Sequence, residues 1–567
     1  MAQFKLVVSD TKGKTIAQEL KDRAAQPLVG SRIGNVIDAS VIGIAGGKLK
    51  ITGGSDKSGT PMRSDVHGGV KKYVLLSTGV GNRSEARIRK LVRGNMVTEE
   101  IYQLNCLLVE GTLPEKQAEA AALEAAEPAK KKKKFRTLIS QRILRYLLHW
   151  KETLPDWYIK EYGYQPCINI GTSGHVDHGK TTLVEAITGV WTSAHSEELR
   201  RGITIKVGYA DAAFYKCPKC PSPVCYGAQP KCSNCGGKSE LSRVVSFVDS
   251  PGHESLMANM LSGAALMDGA ILVMAANEKV PQPQTREHLL ALSVLGIQQI
   301  VLVQNKADLA EYEEALDNYK QIKDFVKGSL AEKAPIIPVS AQHKINIDAL
   351  IEAIENNIKT PARTKNVEPI MHVLRSFDVN KPGSPVKQVK GGIIGGALVQ
   401  GEFNIGDEIE IRPGLLDEKK SRYEPITSQI FTLGTGAGLV DVVKPGGLVA
   451  IGTKLDPTFT KSDSLIGSVV GKPSTLPKDV EDITVETHLF DTAVGTAEMV
   501  KVEPIKVREP IRLNIGTAAS VGTVTNVRDS KIEVKLKKPV CLMPKSRVAL
   551  SRRIAERWRL IGSGIAV

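Results

Sequence analysis

The spacing of apolar and polar residues changes several times along the chain, and each change predicts a different architecture. Residues 1–113 contain short runs of β-forming residues, such as 4–8 and 48–52, between glycine-rich turns. These runs predict a small, mostly-β domain of barrel or half-barrel type. From residue 168 to about 359, strand-like and helix-like runs alternate, which predicts a parallel α/β sheet. From residue 367 onward, alternating β patterns with Gly-Asp and Pro-Gly turns predict two further β domains.

The length agrees with several domains, because 567 residues at about 150 per domain correspond to roughly four. In the α/β region, strands are predicted at 168–170, 244–248, 271–274, 300–303 and 336–339, and a helix at 182–188. The predicted divisions are a β domain at 1–113, a linker with a connector helix at 114–164, an α/β domain at 165–365, and β-barrels at 366–466 and 467–567.

The linker has two parts. Residues 114–129 are mostly alanine and glutamate, and residues 130–134 are an unbroken run of lysines. Such a block is either solvated and mobile or in contact with a phosphate backbone, and both interpretations stay open. Residues 136–150 place apolar side chains at helical spacing, with Arg142 and Arg145 between them. This pattern favours a connector helix packed on a neighbouring domain over membrane or RNA binding.

The overall charge indicates a polyanionic partner. The formal net charge is +15, and residues 1–113 alone hold 17 Lys/Arg against 10 Asp/Glu, so 17 − 10 = +7. This excess favours nucleic-acid binding over solubility alone. No apolar run approaches the ~20 residues that span a bilayer, and the N-terminus shows no basic and then apolar leader, so we expect a cytoplasmic protein without membrane contact.

A phosphate-binding loop is the clearest chemical motif. Residues 174–181 read Gly-His-Val-Asp-His-Gly-Lys-Thr and lie between a predicted strand and a predicted helix. In this setting backbone N–H groups wrap the phosphates, Lys180 reaches the β- and γ-phosphates, and the Thr181 hydroxyl ligates Mg²⁺. The candidate nucleotide-binding residues of the loop are Asp177, His178, Gly179, Lys180, Thr181 and Thr182.

Three further elements, each after a predicted strand, complete a guanine-nucleotide site. Asp249, three residues before Gly252, can hold Mg²⁺ through water, and the Gly252 N–H can sense the γ-phosphate. Asp308 offers a carboxylate to the N1–H and 2-amino donors of guanine, which adenine lacks, so the site predicts GTP over ATP. A loop at 340–342 follows the last strand and would close over the base. The candidate residues of these elements are Asp249, Gly252, Asn305, Lys306, Asp308, Ser340, Ala341 and Gln342.

Two residues are candidates for switching and hydrolysis. Thr204 lies between the phosphate loop and Asp249, where it can join the Mg²⁺ shell only when the γ-phosphate is present. His253 follows Gly252, at the position where Ras-like GTPases have the glutamine that orients the attacking water. We therefore assign His253 the catalytic role. No arginine finger is identifiable in the chain, so we expect slow intrinsic hydrolysis.

Four of the eight cysteines form a metal-binding pattern. Cys217-x-x-Cys220 and Cys232-x-x-Cys235 are two knuckles with the spacing of a tetrahedral Zn²⁺ site, in a loop rich in Pro and Gly that has little core of its own. We predict structural zinc. Cys225 is predicted to be spare, and Cys106, Cys167 and Cys541 are predicted to be buried as apolar residues.

With these motifs in place, residues 165–567 resemble the gamma subunit of archaeal and eukaryotic translation initiation factor two. The resemblance is based on the phosphate loop, Arg-Gly-Ile-Thr at 201–204, the cysteine knuckles, Arg-Ser-Phe-Asp-Val-Asn-Lys-Pro-Gly at 375–383, Gly-Asp-Glu-Ile-Glu-Ile-Arg-Pro-Gly at 406–414 and Arg-Trp-Arg-Leu-Ile-Gly at 557–562. It implies a fold similar to elongation factor Tu, with a GTPase domain and two β-barrels. It also implies GTP-dependent delivery of initiator methionyl-tRNA to the small ribosomal subunit, with alpha and beta subunits as partners. A second Mg²⁺ site, formed by Asp177 and the backbone of Gly202, is implied by the resemblance as well.

Residues 1–113 resemble small-subunit ribosomal protein six of the archaeal and eukaryotic type. The resemblance is based on residues 1–9, 48–57, 61–68 and 92–95, and it implies an RNA-binding, ribosome-associated component. The two families are joined here in one chain. This is either a true fusion or a merged or processed chain whose modules act separately, and the absence of Met between Met96 and Met257 favours the fusion. Two other hypotheses stay open: delivery of a different aminoacyl-tRNA, and a structural RNA-binding protein with a degenerate GTPase.

Overall fold

The computed structural model describes residues 3–10, 15–21, 25–42, 47–56, 59–76, 88–110, 150–193, 198, 204, 206–364, 367–380, 385, 389–417, 420, 422–492, 501–554 and 557–567. The chain divides into two compact units, Met1–Arg142 and Ile143–Val567. The charged part of the predicted linker lies outside the described residues, as does the helix predicted at 136–150 apart from Trp150.

The N-terminal unit is mostly β, as predicted. Within its described part, five strands form one sheet in the order β2-β1-β7-β4-β3, and β5 pairs with β6 in a separate hairpin. The sheet buries one face, because alternate residues such as Leu49 and Ile51 on β4 are fully buried while their neighbours are exposed. The strands are β1 (Gln3–Ser9), β2 (Thr15–Lys21), β3 (Val36–Asp38), β4 (Lys48–Asp56), β5 (Lys71–Leu76), β6 (Ile88–Arg93) and β7 (Ile101–Glu110).

The second unit begins with an α/β domain. Its described strands form a sheet in the order β10-β9-β11-β8-β12-β13-β14, in which β11, β8, β12, β13 and β14 are parallel. Strands β8, β12 and β13 are buried along their whole length, as expected where helices cover both faces. The strands are β8 (Ile168–Ser173), β9 (Gly208–Lys216), β10 (Tyr226–Gly227), β11 (Glu240–Asp249), β12 (Gly269–Ala275), β13 (Ile300–Asn305) and β14 (Ile336–Pro338). The helices are α1 (Asp156–Tyr162), α2 (Lys180–Thr188), α3 (Met257–Ala264), α4 (Pro283–Leu295), α5 (Tyr312–Val326) and α6 (Ile347–Asn357).

The first barrel closes through an additional pairing of β18 with β19, which completes the ring β18-β23-β15-β16-β22-β19. Its last strand, β23, pairs with both β15 and β18. The barrel therefore extends past the predicted boundary at residue 466, and the boundary lies between β23 and β24. The strands are β15 (Ile370–Phe377), β16 (Ile393–Gln400), β17 (Phe403–Asn404), β18 (Glu408–Asp417), β19 (Arg422–Thr435), β20 (Gly438–Val440), β21 (Val442–Val443), β22 (Val449–Thr453) and β23 (Val469–Gly471).

The second barrel is a closed ring in the order β24-β27-β26-β25-β28-β29. Strand β27 shows the alternation that closure requires, with Ile532, Val534 and Leu536 buried inside and charged residues exposed outside. The strands are β24 (Asp479–Leu489), β25 (Pro510–Ile515), β26 (Ala518–Arg528), β27 (Lys531–Cys541), β28 (Arg547–Ile554) and β29 (Arg557–Ala566).

Residues 150–165, which we call the strap, join the α/β domain to the first barrel. Trp150, Leu154 and Tyr158 are buried in the same apolar cluster as residues of β9 and β11. The Tyr158 hydroxyl donates to the carbonyl of Gln165 at 2.9 Å. The strap is thus part of the α/β domain, although it was predicted as the end of a linker.

The far end of the strap contacts the first barrel. The side chain of Gln165 donates to the Gly446 carbonyl at 2.8 Å and accepts from the Lys444 backbone N–H at 2.9 Å. The carbonyl of Tyr164 accepts from the Thr435 hydroxyl at 2.8 Å. The strap therefore fixes the orientation of the barrel relative to the α/β sheet.

The longest described helix, α5, has 15 residues. A membrane-spanning helix needs about 20 apolar residues. None of the helices in the described part of the chain is long and apolar enough to cross a membrane.

Candidate functional site

The phosphate loop connects β8 to α2. Gly174, Asp177 and Gly179 have positive φ values of 137°, 62° and 85°, and a Cβ on Gly179 would lie 2.4 Å from the Asn305 amide nitrogen. The loop therefore needs glycine at this position. The buried Lys180 ammonium donates to two loop carbonyls, at 2.9 and 2.6 Å. Burial lowers its pKa to about 8, against the opposing effect of two aspartates.

A cavity of about 260 Å³ opens at this loop. It brings together residues that are far apart in sequence, including Thr204, which lies between α2 and β9, and His253 from the loop after β11. The lining residues are Val176, Asp177, Gly179, Lys180, Thr181, Thr182, Trp191, Ser193, Glu198, Thr204, Gly252 and His253.

Asp249, at the end of β11, accepts hydrogen bonds from three hydroxyl groups. Thr172 donates to one carboxylate oxygen at 2.8 Å, and Thr181 and Thr192 donate to the other at 2.7 and 2.6 Å. The Thr204 hydroxyl lies 3.0 Å from that of Thr181. A carboxylate with hydroxyl oxygens is the type of donor set that Mg²⁺ prefers, so these residues fit that ion.

The elements predicted to bind the base meet at the other end of the loop. The Asn305 amide donates to the His178 carbonyl at 2.9 Å and accepts from the Ala341 N–H at 3.1 Å. One side chain thus fixes the phosphate loop and the 340–342 loop together. Asp308 lies beside this junction, and the hydroxyl of Ser340 lowers the pKa of its carboxyl, so the carboxylate is the stable form at neutral pH.

The remaining predicted residues differ in how closely they approach the cavity. Lys306 has a positive φ of 60° at the start of the turn that presents Asp308. The ring of His178 is buried against the Val273 carbonyl and Glu278, so only its backbone faces the loop junction. Gln342 is exposed. Gly202, predicted as a Mg²⁺ ligand, lies outside the described residues.

The cysteine knuckles converge as predicted. The sulfur atoms of Cys217, Cys220, Cys232 and Cys235 lie within 4.8 Å of one another, with Cys217–Cys235 at 3.6 Å and Cys220–Cys232 at 3.7 Å. A tetrahedron with Zn–S bonds of ~2.3 Å has edges of about 3.8 Å, so the four thiols fit zinc. Cys225 is buried beside them but is not part of this group.

Removing one knuckle sulfur should release the metal. We expect about one zinc per chain in the native protein, and loss of that zinc in Cys232→Ser, because three thiolates leave the tetrahedron incomplete. Elemental analysis of purified protein measures the ratio. Cys225→Ser is the matched control, since it changes a cysteine in the same insert and should keep full zinc content. Equal zinc loss in both variants would contradict the assignment.

The structure also adds residues that the sequence analysis missed. Thr172, Thr192 and Ser193 surround Asp249 and Thr204 with hydroxyl groups, and Gln284 and His288 on α4 contact the phosphate loop. A weak signal existed for α4, because its sequence Gln-Thr-Arg-Glu-His places polar residues in a helix that must cover a buried sheet.

Comparison with known proteins agrees with this geometry. Residues 165–360 match the family model "Elongation factor Tu GTP binding domain", and residues 481–566 match "Initiation factor eIF2 gamma, C terminal". The translation initiation factor 2 subunit gamma of Archaeoglobus fulgidus is 57% identical over 400 residues, which cover 70% of this chain and 94% of that protein. That of Methanocaldococcus jannaschii is 55% identical over 407 residues, covering 71% and 98%.

The chain belongs to the translation initiation factor 2 gamma family. It is a translational GTPase and a GTP-binding initiation factor subunit. The first 164 residues lie outside the GTPase family match, and residues 4–118 match the family model "Ribosomal protein S6e". Both resemblances predicted from the sequence are confirmed.

Solved structures show the same fold. A bacterial selenocysteine-specific elongation factor has a TM-score of 0.53 at 22% identity, and the match covers 70% of this chain and 58% of that one. Elongation factor SelB from Methanococcus maripaludis, with a GTP analogue, has a TM-score of 0.53 at 20% identity and 78% of its chain covered. At this identity the likeness concerns the fold alone. The predicted α/β domain followed by two barrels is therefore confirmed.

Proposed function

We propose that this GTPase binds initiator methionyl-tRNA when it holds GTP and delivers it to the small ribosomal subunit. The observation that supports this most directly is the meeting of Lys180, Thr181, Thr204 and His253 around one cavity, with Asp249 bound to the Thr181 hydroxyl. A γ-phosphate bound in such a cavity can order the residues around it and so change the conformation of the rest of the molecule. Membership in an initiation factor family supports an initiator tRNA as the cargo.

The residues have distinct roles in this proposal. Lys180 binds the β- and γ-phosphates, and the loop N–H groups from Asp177 to Thr182 complete the phosphate site. Thr181, Thr204 and Asp249 would hold Mg²⁺, which would supply charge neutralisation at the phosphates, and Asp177 and Gly202 would hold a second ion. His253 orients the attacking water. Asp308 selects guanine, while the junction of Asn305, Lys306 and residues 340–342 holds the base loop in place.

The N-terminal unit supplies an RNA-binding surface in this proposal. The β5–β6 hairpin exposes Lys72, Arg89 and Lys90, and the Arg89 guanidinium lies 5.2 Å from the centre of the Tyr73 ring. Basic side chains beside an exposed aromatic ring are typical of RNA-contacting surfaces. This arrangement supports contact with small-subunit RNA, and with it a ribosome-associated, cytoplasmic location. The family also suggests alpha and beta subunits as partners.

A tRNA-binding test addresses the cargo. We expect the full chain with GTP to retain initiator methionyl-tRNA on a filter more strongly than elongator methionyl-tRNA, and more strongly than the chain with GDP does. Equal binding of the two tRNAs would favour the alternative, a delivery factor for another aminoacyl-tRNA. Failure to bind any guanine nucleotide would favour a structural RNA-binding protein with a degenerate GTPase.

A further inference from the structure

Helix α4 contacts both the phosphate loop and the second barrel. It runs from Pro283 to Leu295 and packs against β8 and β12 on one side and β28 and β29 on the other. Three of its polar residues, Thr285, Glu287 and His288, are fully buried. Buried polar side chains are costly unless they bind something, so the contacts of Glu287 and His288 indicate what the helix does. The Thr285 hydroxyl has no hydrogen-bond partner in the described part of the chain.

Two side chains of this helix accept hydrogen bonds from the phosphate loop backbone. The N–H of Gly174 donates to Nδ1 of His288 at 3.2 Å, and the N–H of Val176 donates to Oε1 of Gln284 at 3.3 Å. These contacts join residues 114 and 108 positions apart in sequence. Gln284 and His288 are four residues apart and therefore lie on the same face of the helix.

His288 can accept only as the neutral imidazole with its proton on Nε2. Burial lowers the pKa of His288 to about 3, and the nearby Lys180 charge acts in the same direction. The neutral ring is thus the form present at physiological pH. Its acceptor then holds the N–H of Gly174, while the carbonyl of Gly174 accepts from Lys180 at 2.9 Å. Gly174 is therefore bound through its N–H by His288 of α4 and through its carbonyl by Lys180.

Glu287, the residue before His288, binds the second barrel. The Glu287 carboxylate lies 3.5 Å from the Arg559 guanidinium on β29, and both side chains are almost fully buried. In the described part of the chain neither carboxylate oxygen of Glu287 has a hydrogen-bond partner, so the ion pair with Arg559 is its main compensation. A shift of the barrel would move this pair, and with it the helix that holds the loop.

We propose that Gln284 and His288 are positioning residues for nucleotide binding, and that the Glu287–Arg559 pair couples this positioning to the docking of the second barrel. The proposal rests on the proposed nucleotide site. It extends that site to two side chains that touch the loop backbone only, so they act through the loop and not on the phosphates. It also gives the second barrel an influence on nucleotide affinity.

Paired variants separate hydrogen bonding from packing at position 288. His288→Asn keeps an acceptor near the Nδ1 position but leaves a smaller side chain, whereas His288→Leu keeps the bulk and removes the acceptor. We expect His288→Leu to weaken GDP binding about 10-fold, because a buried N–H loses its partner, and His288→Asn to stay within about 3-fold of the native chain. If the side chain only fills space, His288→Leu should bind GDP more tightly than His288→Asn. That result would overturn the proposal.

Position 284 tests the loss of an acceptor at a half-buried site, in case a change at 288 prevents folding. Gln284→Met keeps the shape and the neutral charge but removes the acceptor, so it should bind GDP more weakly than the native chain; Gln284→Glu would add a negative charge beside the phosphates and is not used. The readout is the dissociation constant of fluorescent GDP on the full chain, with thermal melting to confirm folding. A native chain that binds no GDP would refute the proposed function itself. Native binding with no difference between the paired variants would refute only the positioning role.

A double-mutant cycle tests the coupling to the barrel. Burial raises the pKa of the Glu287 carboxyl to about 7, and the Arg559 charge opposes this rise. Arg559→Met therefore leaves a buried carboxyl without the partner that favours its charged form, and we expect GDP affinity to fall about 5-fold. Adding Glu287→Gln replaces that carboxyl with a neutral amide and should recover most of that loss. If the two changes simply add, the pair does not transmit barrel docking to the loop, and that part of the proposal is wrong.

Discussion

Replacing Asp308 with asparagine should change the base that the protein binds from guanine to xanthine. In the proposed site the Asp308 carboxylate would face two donors on guanine, N1–H and the 2-amino group, and an asparagine amide would place its own donor against the second of these. Xanthine has N1–H beside a carbonyl, which matches the acceptor and donor of asparagine. We expect GTP affinity to fall about 100-fold or more and XTP affinity to rise correspondingly.

Direct binding of labelled GTP and of labelled XTP measures both affinities on the full chain. Asp317→Asn is the matched control, since it makes the same chemical change at an exposed position on α5. The control should keep the preference for GTP. A folded Asp308→Asn protein that binds GTP as well as the native chain would show that this carboxylate does not contact the base.

The second large effect is expected at His253. The ring is exposed, lines the nucleotide cavity and lies 2.8 Å from the Ser255 hydroxyl through Nδ1. Because the ring is exposed and lines the cavity beside Gly252, we expect it to contact the attacking water and not to hold the phosphates. We expect His253→Ala to lower the rate of GTP hydrolysis about 100-fold while leaving GTP affinity unchanged.

Single-turnover hydrolysis of GTP separates these two quantities, with nucleotide binding measured alongside. His67→Ala serves as the control, since His67 is an exposed histidine in the N-terminal unit. Because the intrinsic rate is expected to be slow, the comparison is best made with small ribosomal subunits present as well. If His253→Ala loses GTP binding as well as hydrolysis, His253 contributes to nucleotide binding and not to the chemical step.

The sequence predicts those parts of the site that are contiguous along the chain. These parts lie at the end of a strand or just after it: the phosphate loop, Asp249, Asn305 and Asp308. Parallel strands bring such positions to one edge of the sheet. The four cysteines are equally local, since their spacing alone defines two knuckles. In these cases residues that are neighbours along the chain carry the chemistry, and the fold only has to bring a few short segments together.

Contacts that depend on how elements pack could not be predicted in this way. The bonds from Gln284 and His288 to the loop depend on the rotation of α4 about its axis, which the residue pattern does not fix. The assignment of β23 to the first barrel depends on a three-residue strand between two others, where no periodicity can be read. Trp150, Leu154 and Tyr158 are spaced by four, a helical signal, but the preceding charged run suggested a linker.

The strap limits where the two modules of this chain can be separated. A cut or an internal start at residue 165 would match the edge of the family similarity, yet it would remove Tyr158 from an apolar core and leave Gln165 as a chain end beside the first barrel. A break before Trp150 would keep Trp150, Leu154 and Tyr158 in that core. Any fragment meant to act as a free initiation factor, whether made by the cell or cloned for crystallisation, should therefore begin no later than residue 150.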